Sequence, residues 1–168
     1  GHCGATHRWN KMEAKIKKLK KNYNEYYANL YARGKAPLGS TANGYWGASA
    51  ADDVIEIFKK IKLHKKENFI DLGSGDGKVA LIASLFTKSA GVESEKELIQ
   101  TSQNIMDELD FNADFIHSDY LDVDLSQFSV VFINPDKPFY ELEKKLRNEL
   151  KGILVVYDNL YEPLNMKK

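Results

Sequence analysis

The chain predicts an α/β domain built on one parallel sheet, and three observations carry that prediction. Five short apolar runs, within "NFIDLG", "SAGVE", "ADFIHSD", "SVVFINP" and "ILVVYD", alternate with longer segments whose apolar residues recur at helical spacing. Such alternation implies βαβ units, because parallel strands need a crossover that is usually a helix. The runs "VVFI" and "ILVV" are apolar at every position, as in strands covered on both faces. A length of 168 residues suits one domain with its own core.

The elements follow in order. The opening "GHCGATHR" has no initial Met and no periodicity, so residues 1–10 are expected to be a tag remnant. His2, Cys3 and His7 are read as part of it, and no metal site is expected. Residues 11–36 read as a basic amphipathic helix, with Met12, Ile16, Leu19, Tyr23, Tyr26 or Tyr27, and Leu30 at helical spacing. Gly34 ends it and Pro37 confirms the break. Between Lys11 and Lys35 it holds eight Lys/Arg against two Glu. Its outer face is either simply solvated or a docking arm for an acidic partner, RNA or protein.

Residues 37–168 make up the domain proper. "APLGSTANGYWGAS" is a loop by its Gly, Ser, Thr and Asn content, with Tyr45 and Trp46 in its middle. "AADDVIEIFKKIKL" is a helix presenting Val54, Ile57, Phe58 and Ile61, and "GKVALIASLFTK" is another. "SEKELIQTSQNIMDEL" starts with a Ser-x-x-Glu capping box, Ser94 to Glu97. "FYELEKKLRNELKG" ends at Gly152. "DYLDVDLSQF" is too short and too acidic to be a helix.

Composition narrows the class. The 24 basic residues balance 24 acidic ones, so net charge points to neither nucleic acid nor membrane. No apolar run approaches the roughly 20 residues that span a bilayer. The single cysteine allows no internal disulfide and fits a reducing, cytoplasmic setting.

The chemistry concentrates at "FIDLGSGDG", where Gly73, Gly75 and Gly77 follow the first strand and Asp71 and Asp76 frame them. In an open parallel sheet, ligands bind at the carboxyl ends of strands. Dinucleotide sites use Gly-x-Gly-x-x-Gly, whereas here the spacing is Gly-x-Gly-x-Gly with Lys78 next, and the Walker pattern is absent. The carboxylates discriminate further. Two like charges at roughly 5 Å and an effective dielectric near 20 repel by about 3 kcal/mol, so a pyrophosphate is disfavoured. A ligand with an ammonium and a sulfonium is attracted, and S-adenosylmethionine has that charge pattern. Glu93, at the end of the second strand, is set to accept both ribose hydroxyls. Asp119, ending the third, can accept from the adenine amino group, with Tyr120 covering the base.

"DLGSGDG", "GVES" and "HSDY" together resemble the class I S-adenosylmethionine-dependent methyltransferases over residues 47–163. The resemblance implies a Rossmann-like, doubly wound sheet ordered 3-2-1-4-5, a single small domain with the N-terminal helix as an extension. It implies that Asp71, Gly73, Ser74, Gly75, Asp76 and Gly77 hold the methionine part, Glu93 and Ser94 the ribose, and Asp119 and Tyr120 the adenine. "FINPDKPFY" is similar to the Asn-Pro-Pro-Tyr/Phe motif of amino-group methyltransferases, with Asp136 in place of its second Pro. "FYELEKKLRNELKGILVVYDNLYEPL" resembles a family of small archaeal and mitochondrial protein-lysine methyltransferases. In that family a short upstream loop closes the cofactor site; "WGAS", ending in Ser49, occupies that place without the family's Val-Pro.

These resemblances imply a methyltransferase with protein lysine as acceptor. A lysine must first lose its proton, which costs about 4.6 kcal/mol at pH 7 from a free pKa near 10.4, so its site wants carboxylates or tyrosines. Tyr45 and Trp46 are expected as an aromatic rim, worth about 0.5–2 kcal/mol to a cation. Asn134 and Asp136 are expected at the methyl-transfer edge, Asn134 also beside the cofactor, with Tyr157 and Asp158 as second candidates. Two alternatives come from other classes: a nucleic-acid amino-group methyltransferase using Asn134 and the basic helix, and a cofactor-binding, non-catalytic partner subunit. An uncovered edge at the fifth strand is a pairing liability, so a homodimer through it is an open expectation.

Overall fold

The computed structural model describes residues 2–35, 48–157 and 166. Among these residues five strands, β1 (Asn68–Leu72), β2 (Lys88–Glu93), β3 (Asp114–His117), β4 (Val130–Ile133) and β5 (Ile153–Val156), form one sheet. Its order is β3-β2-β1-β4-β5 and every neighbouring pair is parallel. The expected strand order is therefore the observed one. Among the described residues, five helices accompany the sheet: α1 (His2–Ala32), α2 (Ala48–Lys60), α3 (Lys78–Ala83), α4 (Lys96–Leu109) and α5 (Tyr140–Glu149). "DYLDVDLSQF" forms two single 3-10 turns, Tyr120–Asp122 and Leu125–Gln127.

Side chains of a strand alternate between faces, and the two faces of this sheet bury separate cores. Phe69 of β1 and Val130 and Phe132 of β4 join Leu19, Tyr23, Val54, Phe58 and Ile82 on the side covered by α1 to α4. Ile70, Leu72, Val131 and Ile133 pack on the other side with Leu142 and Leu146 of α5. Phe58 is fully buried and meets Phe69, Phe86 and Phe132 edge-on, with ring centroids 5.2, 5.7 and 6.2 Å away. Asp71 shares a face with Phe69, so its carboxylate enters the α1–α4 layer rather than solvent.

Helix α1 differs from expectation in length, not in kind. Its apolar stripe is the predicted one, with Met12, Leu19, Tyr23 and Tyr27 buried, but it begins at His2 rather than near Lys11. It runs antiparallel to α2: the Lys59 ammonium lies 5.0 Å from the Trp9 ring, and Lys20 pairs with Asp52. The capping box does not form. Helix α4 starts at Lys96 with Glu95 as N-cap and no side-chain cap, because the Ser94 hydroxyl donates to Glu93 instead (3.4 Å). Helix α3 is shorter than the predicted "GKVALIASLFTK", its regular part ending at Ala83.

Candidate functional site

The glycine loop begins where β1 ends. Gly73, Gly75 and Gly77 have φ of 74°, 55° and 86°, left-handed values that side-chain-bearing residues rarely hold. The alternating glycines thus fold the loop back on itself. The Gly73 and Ser74 amides both donate to the Val92 carbonyl (2.8 and 2.9 Å) and Gly77 N to Ser74 O (2.9 Å). Gly77 must also lack a Cβ, since one would lie 2.6 Å from Ser102 Oγ. The Ser74 hydroxyl points inward toward Gly91, where a Cβ would lie 2.8 Å from it. It is buried and, among the described residues, has no hydrogen-bond partner.

A cleft of about 560 Å³ opens over the carboxyl ends of β1, β2 and β3, lined among others by Gly73, Glu93, Asp119, Tyr120, Lys137 and Tyr140. Glu93 is oriented by backbone donors: Gly75 N to Oε1 (3.1 Å) and Glu95 N to Oε2 (2.9 Å). Each carboxylate oxygen can accept more than one bond, so Glu93 retains capacity toward the cleft. Asp119 caps the following 3-10 turn, its Oδ1 accepting from Leu121 N (2.9 Å). Tyr120 is half-buried; burial first, then Asp119, Asp136 and Glu141, raises its pKa. Among the lining residues, Glu93, Asp119 and Glu141 face one ammonium, that of Lys137.

Asp71 and Asp76 do not line this cleft. Asp71 is 4% exposed, and burial first, then the charges of Asp76 and Glu93, hold its carboxyl well above the usual range. Burial raises Asp76 too, against the opposing Lys78 N–H, Tyr27 hydroxyl and Lys78 ammonium. Asp76 is turned toward α1: Tyr27 OH donates to its Oδ2 (3.0 Å) and Tyr23 OH to its backbone carbonyl (2.8 Å). The Lys78 ammonium lies 5.3 Å from the Tyr27 ring and 5.8 Å from that of Tyr23, and burial pushes its pKa down to about 8.

Asn134 and Asp136 are exposed on the segment after β4, outside this cleft's lining. Ser94 is exposed and bonded to Glu93. Tyr157 stacks on Phe132 (6.1 Å, 24°) and donates to Asp53 Oδ2 (3.2 Å) at the start of α2. Tyr45, Trp46 and Asp158 lie outside the described residues, and of Ser49 only the backbone, in the first turn of α2, is described. Sequence reasoning missed Lys137 and Tyr140 on the cleft wall and the tyrosine pair on Asp76. Tyr23 and Tyr27 were read as core by their spacing, which is correct for the rings. The hydroxyls carried no signal, since Asp76 lies some fifty residues away in the chain.

The histone methylation protein DOT1 family matches residues 39–156. The chain belongs to that family. Its fold recurs in solved structures at low identity. The Pyrococcus abyssi tRNA (uracil-54, C5)-methyltransferase, solved with S-adenosyl-L-homocysteine, is 21% identical, with 66% of this chain and 28% of that chain covered and a TM-score of 0.56. A hypothetical protein of Thermus thermophilus is 19% identical, with 70% and 78% covered and a TM-score of 0.56. The PH0226 protein of Pyrococcus horikoshii OT3 is 16% identical, with 70% and 57% covered and a TM-score of 0.55. This chain spans 28% to 64% of the length of three matched RNA methyltransferase structures. No curated protein matches it. At the level of family and fold, the class I methyltransferase resemblance holds.

Proposed function

We propose that this DOT1-family chain is an S-adenosylmethionine-dependent methyltransferase whose cofactor lies in the cleft over β1, β2 and β3. One observation carries the reading: Gly73 of the glycine turn, Glu93 and Asp119 stand at three adjacent strand ends and line one cleft. That row suits a ligand of amino acid, ribose and base. Glu93 takes the ribose hydroxyls, with Ser94 beside it. Asp119 accepts from the adenine amino group and Tyr120 covers the base. The backbone of the Gly73–Gly77 loop, with Asp71 behind it, holds the methionine part, Asp76 fixing the loop from the side of α1, and Ser49 closes the site from upstream. Bound there, the cofactor supplies a methyl carbon on a sulfonium. The protein's part is then to orient the acceptor in line with it and exclude water.

The acceptor we propose is a protein lysine. The support is the carboxylate excess of the rim, Glu93, Asp119 and Glu141 against Lys137, with Asp136 close enough to raise Tyr120. Such a rim attracts an ammonium and repels a phosphate backbone. Asn134 and Asp136, on the exposed segment after β4, receive the side chain. A nucleic-acid acceptor is the second reading. It is favoured by the exposed Asn134 after β4 and by the exposed lysines 11, 17, 18 and 21 of α1.

One incubation separates the two. Lysate protein, RNA and DNA are each offered with labelled cofactor and then treated with nuclease or protease. Label that survives nuclease and is lost to protease supports lysine, and the converse sinks it. Label in neither, with the cofactor bound, leaves the silent-subunit reading. Beyond the site, we propose that the outer edge of β5 is a self-association surface.

A further inference from the structure

We infer that α1 is the brace of the cofactor loop, and that Tyr23 and Tyr27 are positioning residues for cofactor binding. This inference rests on the methyltransferase reading of the cleft. The loop is held from three directions. From β2, Glu93 Oε1 accepts from Gly75 N (3.1 Å). From α4, the Ser102 hydroxyl shares its proton between Leu98 O of its own helix (2.9 Å) and Gly75 O (3.2 Å). From α1, Tyr27 OH donates to the Asp76 carboxylate (3.0 Å) and Tyr23 OH to the Asp76 carbonyl (2.8 Å). Asp76 Oδ1 in turn accepts from Lys78 N (3.3 Å), tying the start of α3 to the same point.

Packing alone does not call for these hydroxyls. Tyr23 is fully buried and Tyr27 is 6% exposed, so phenylalanine at either position fills the same space. A buried carboxylate is unfavourable unless it is paired and hydrogen-bonded, and the Asp76 carboxylate is answered by Tyr27 OH, Lys78 N and the Lys78 charge. The consequence falls on the ligand. A loop with three glycines at positive φ loses more backbone freedom on being fixed than a glycine-free loop of its length. Whatever binds against it must order it, unless the fold has ordered it beforehand. In this reading Asp76 is the socket for α1 rather than a ligand of the cofactor's ammonium, which leaves that contact to Asp71 and the loop backbone.

The test is calorimetric titration of the whole chain with S-adenosyl-L-homocysteine, on wild type, Tyr27→Phe, the double variant Tyr23→Phe/Tyr27→Phe, and Tyr26→Phe. Tyr26 sits on the same helix with its ring against those of Tyr23 and Tyr27, but the loop's hydrogen bonds to α1 come from Tyr23 and Tyr27, so it controls for general loosening of α1. We expect Tyr27→Phe to weaken binding about tenfold, or about 1.4 kcal/mol, and the double variant to weaken it further. Tyr26→Phe should bind like wild type. Amide exchange should quicken at Gly75 to Gly77 in the Phe variants while helical circular dichroism is kept. Unchanged affinity in Tyr27→Phe, or an equal loss in Tyr26→Phe, overturns the inference. If the double variant does not fold, Tyr27→Phe alone decides. If wild type itself fails to bind, the cleft reading falls first and this inference with it. Wild-type binding with unchanged Tyr27→Phe overturns this inference alone.

Discussion

At Asp71 burial and charge conflict. Its carboxyl sits in the core layer on the Phe69 face, with Asp76 and Glu93 as like-charged neighbours. Its folded pKa is therefore raised above the ordinary 3.8. A raised acid pKa means the folded state holds the proton longer than the unfolded chain does. Stability from this group is present below 3.8 and is lost as pH rises through the folded value. Asp71→Asn should therefore raise the melting midpoint of the unliganded protein at neutral pH and narrow its advantage in acid. Melts of both proteins across that range check this, and equal midpoints at every pH would contradict it. The same residue marks what was legible. A carboxylate at the end of an apolar run pointed to the strand end beside which the cleft opens, because strand ends carry ligands in such sheets, although Asp71 itself does not line that cleft. That Asp76 faces α1 and not the cleft was not legible, since the tyrosines it meets are remote in sequence and looked like core.

At the scale of elements, apolar period placed strands and helices well, and local polar chemistry placed their ends badly. β4 followed from an unbroken apolar run because both its faces are covered, whereas β5 carries a similar run although Ile153 is exposed and its other residues are half-buried. The expected cap at Ser94 failed because a nearer acceptor, Glu93, took its hydroxyl. The start of α1 was missed because its first residues lack an apolar stripe, although the helix continues through them. Helix α2 holds its position through Phe58, wedged among three rings. Phe58→Ala should destabilise the fold by about 3–5 kcal/mol, read from the midpoint of a denaturant transition. A loss below about 1 kcal/mol would mean that α2 is not anchored to the sheet through this ring.

Over the whole molecule, balanced net charge conceals a division. The described cleft is edged by carboxylates, while the outer face of α1 carries exposed lysines 11, 17, 18 and 21. Composition alone therefore missed the electrostatic character of the site, which depends on which residues the fold gathers. No described helix is long and apolar enough to cross a membrane. Among the described residues the sheet ends at β5, whose Ile153 is 37% exposed. Sedimentation at rising concentration should reveal a species heavier than the single chain, and a clean monomer at high concentration would remove the β5 edge as a self-association surface. Whether the cleft over β1, β2 and β3 is a cofactor site is decided most directly by calorimetric titration with S-adenosyl-L-homocysteine. We expect a micromolar dissociation constant that Glu93→Ala weakens about 100-fold, or about 2.7 kcal/mol. Folded wild-type protein that takes up no ligand, or a Glu93→Ala variant that binds as wild type does, would contradict it.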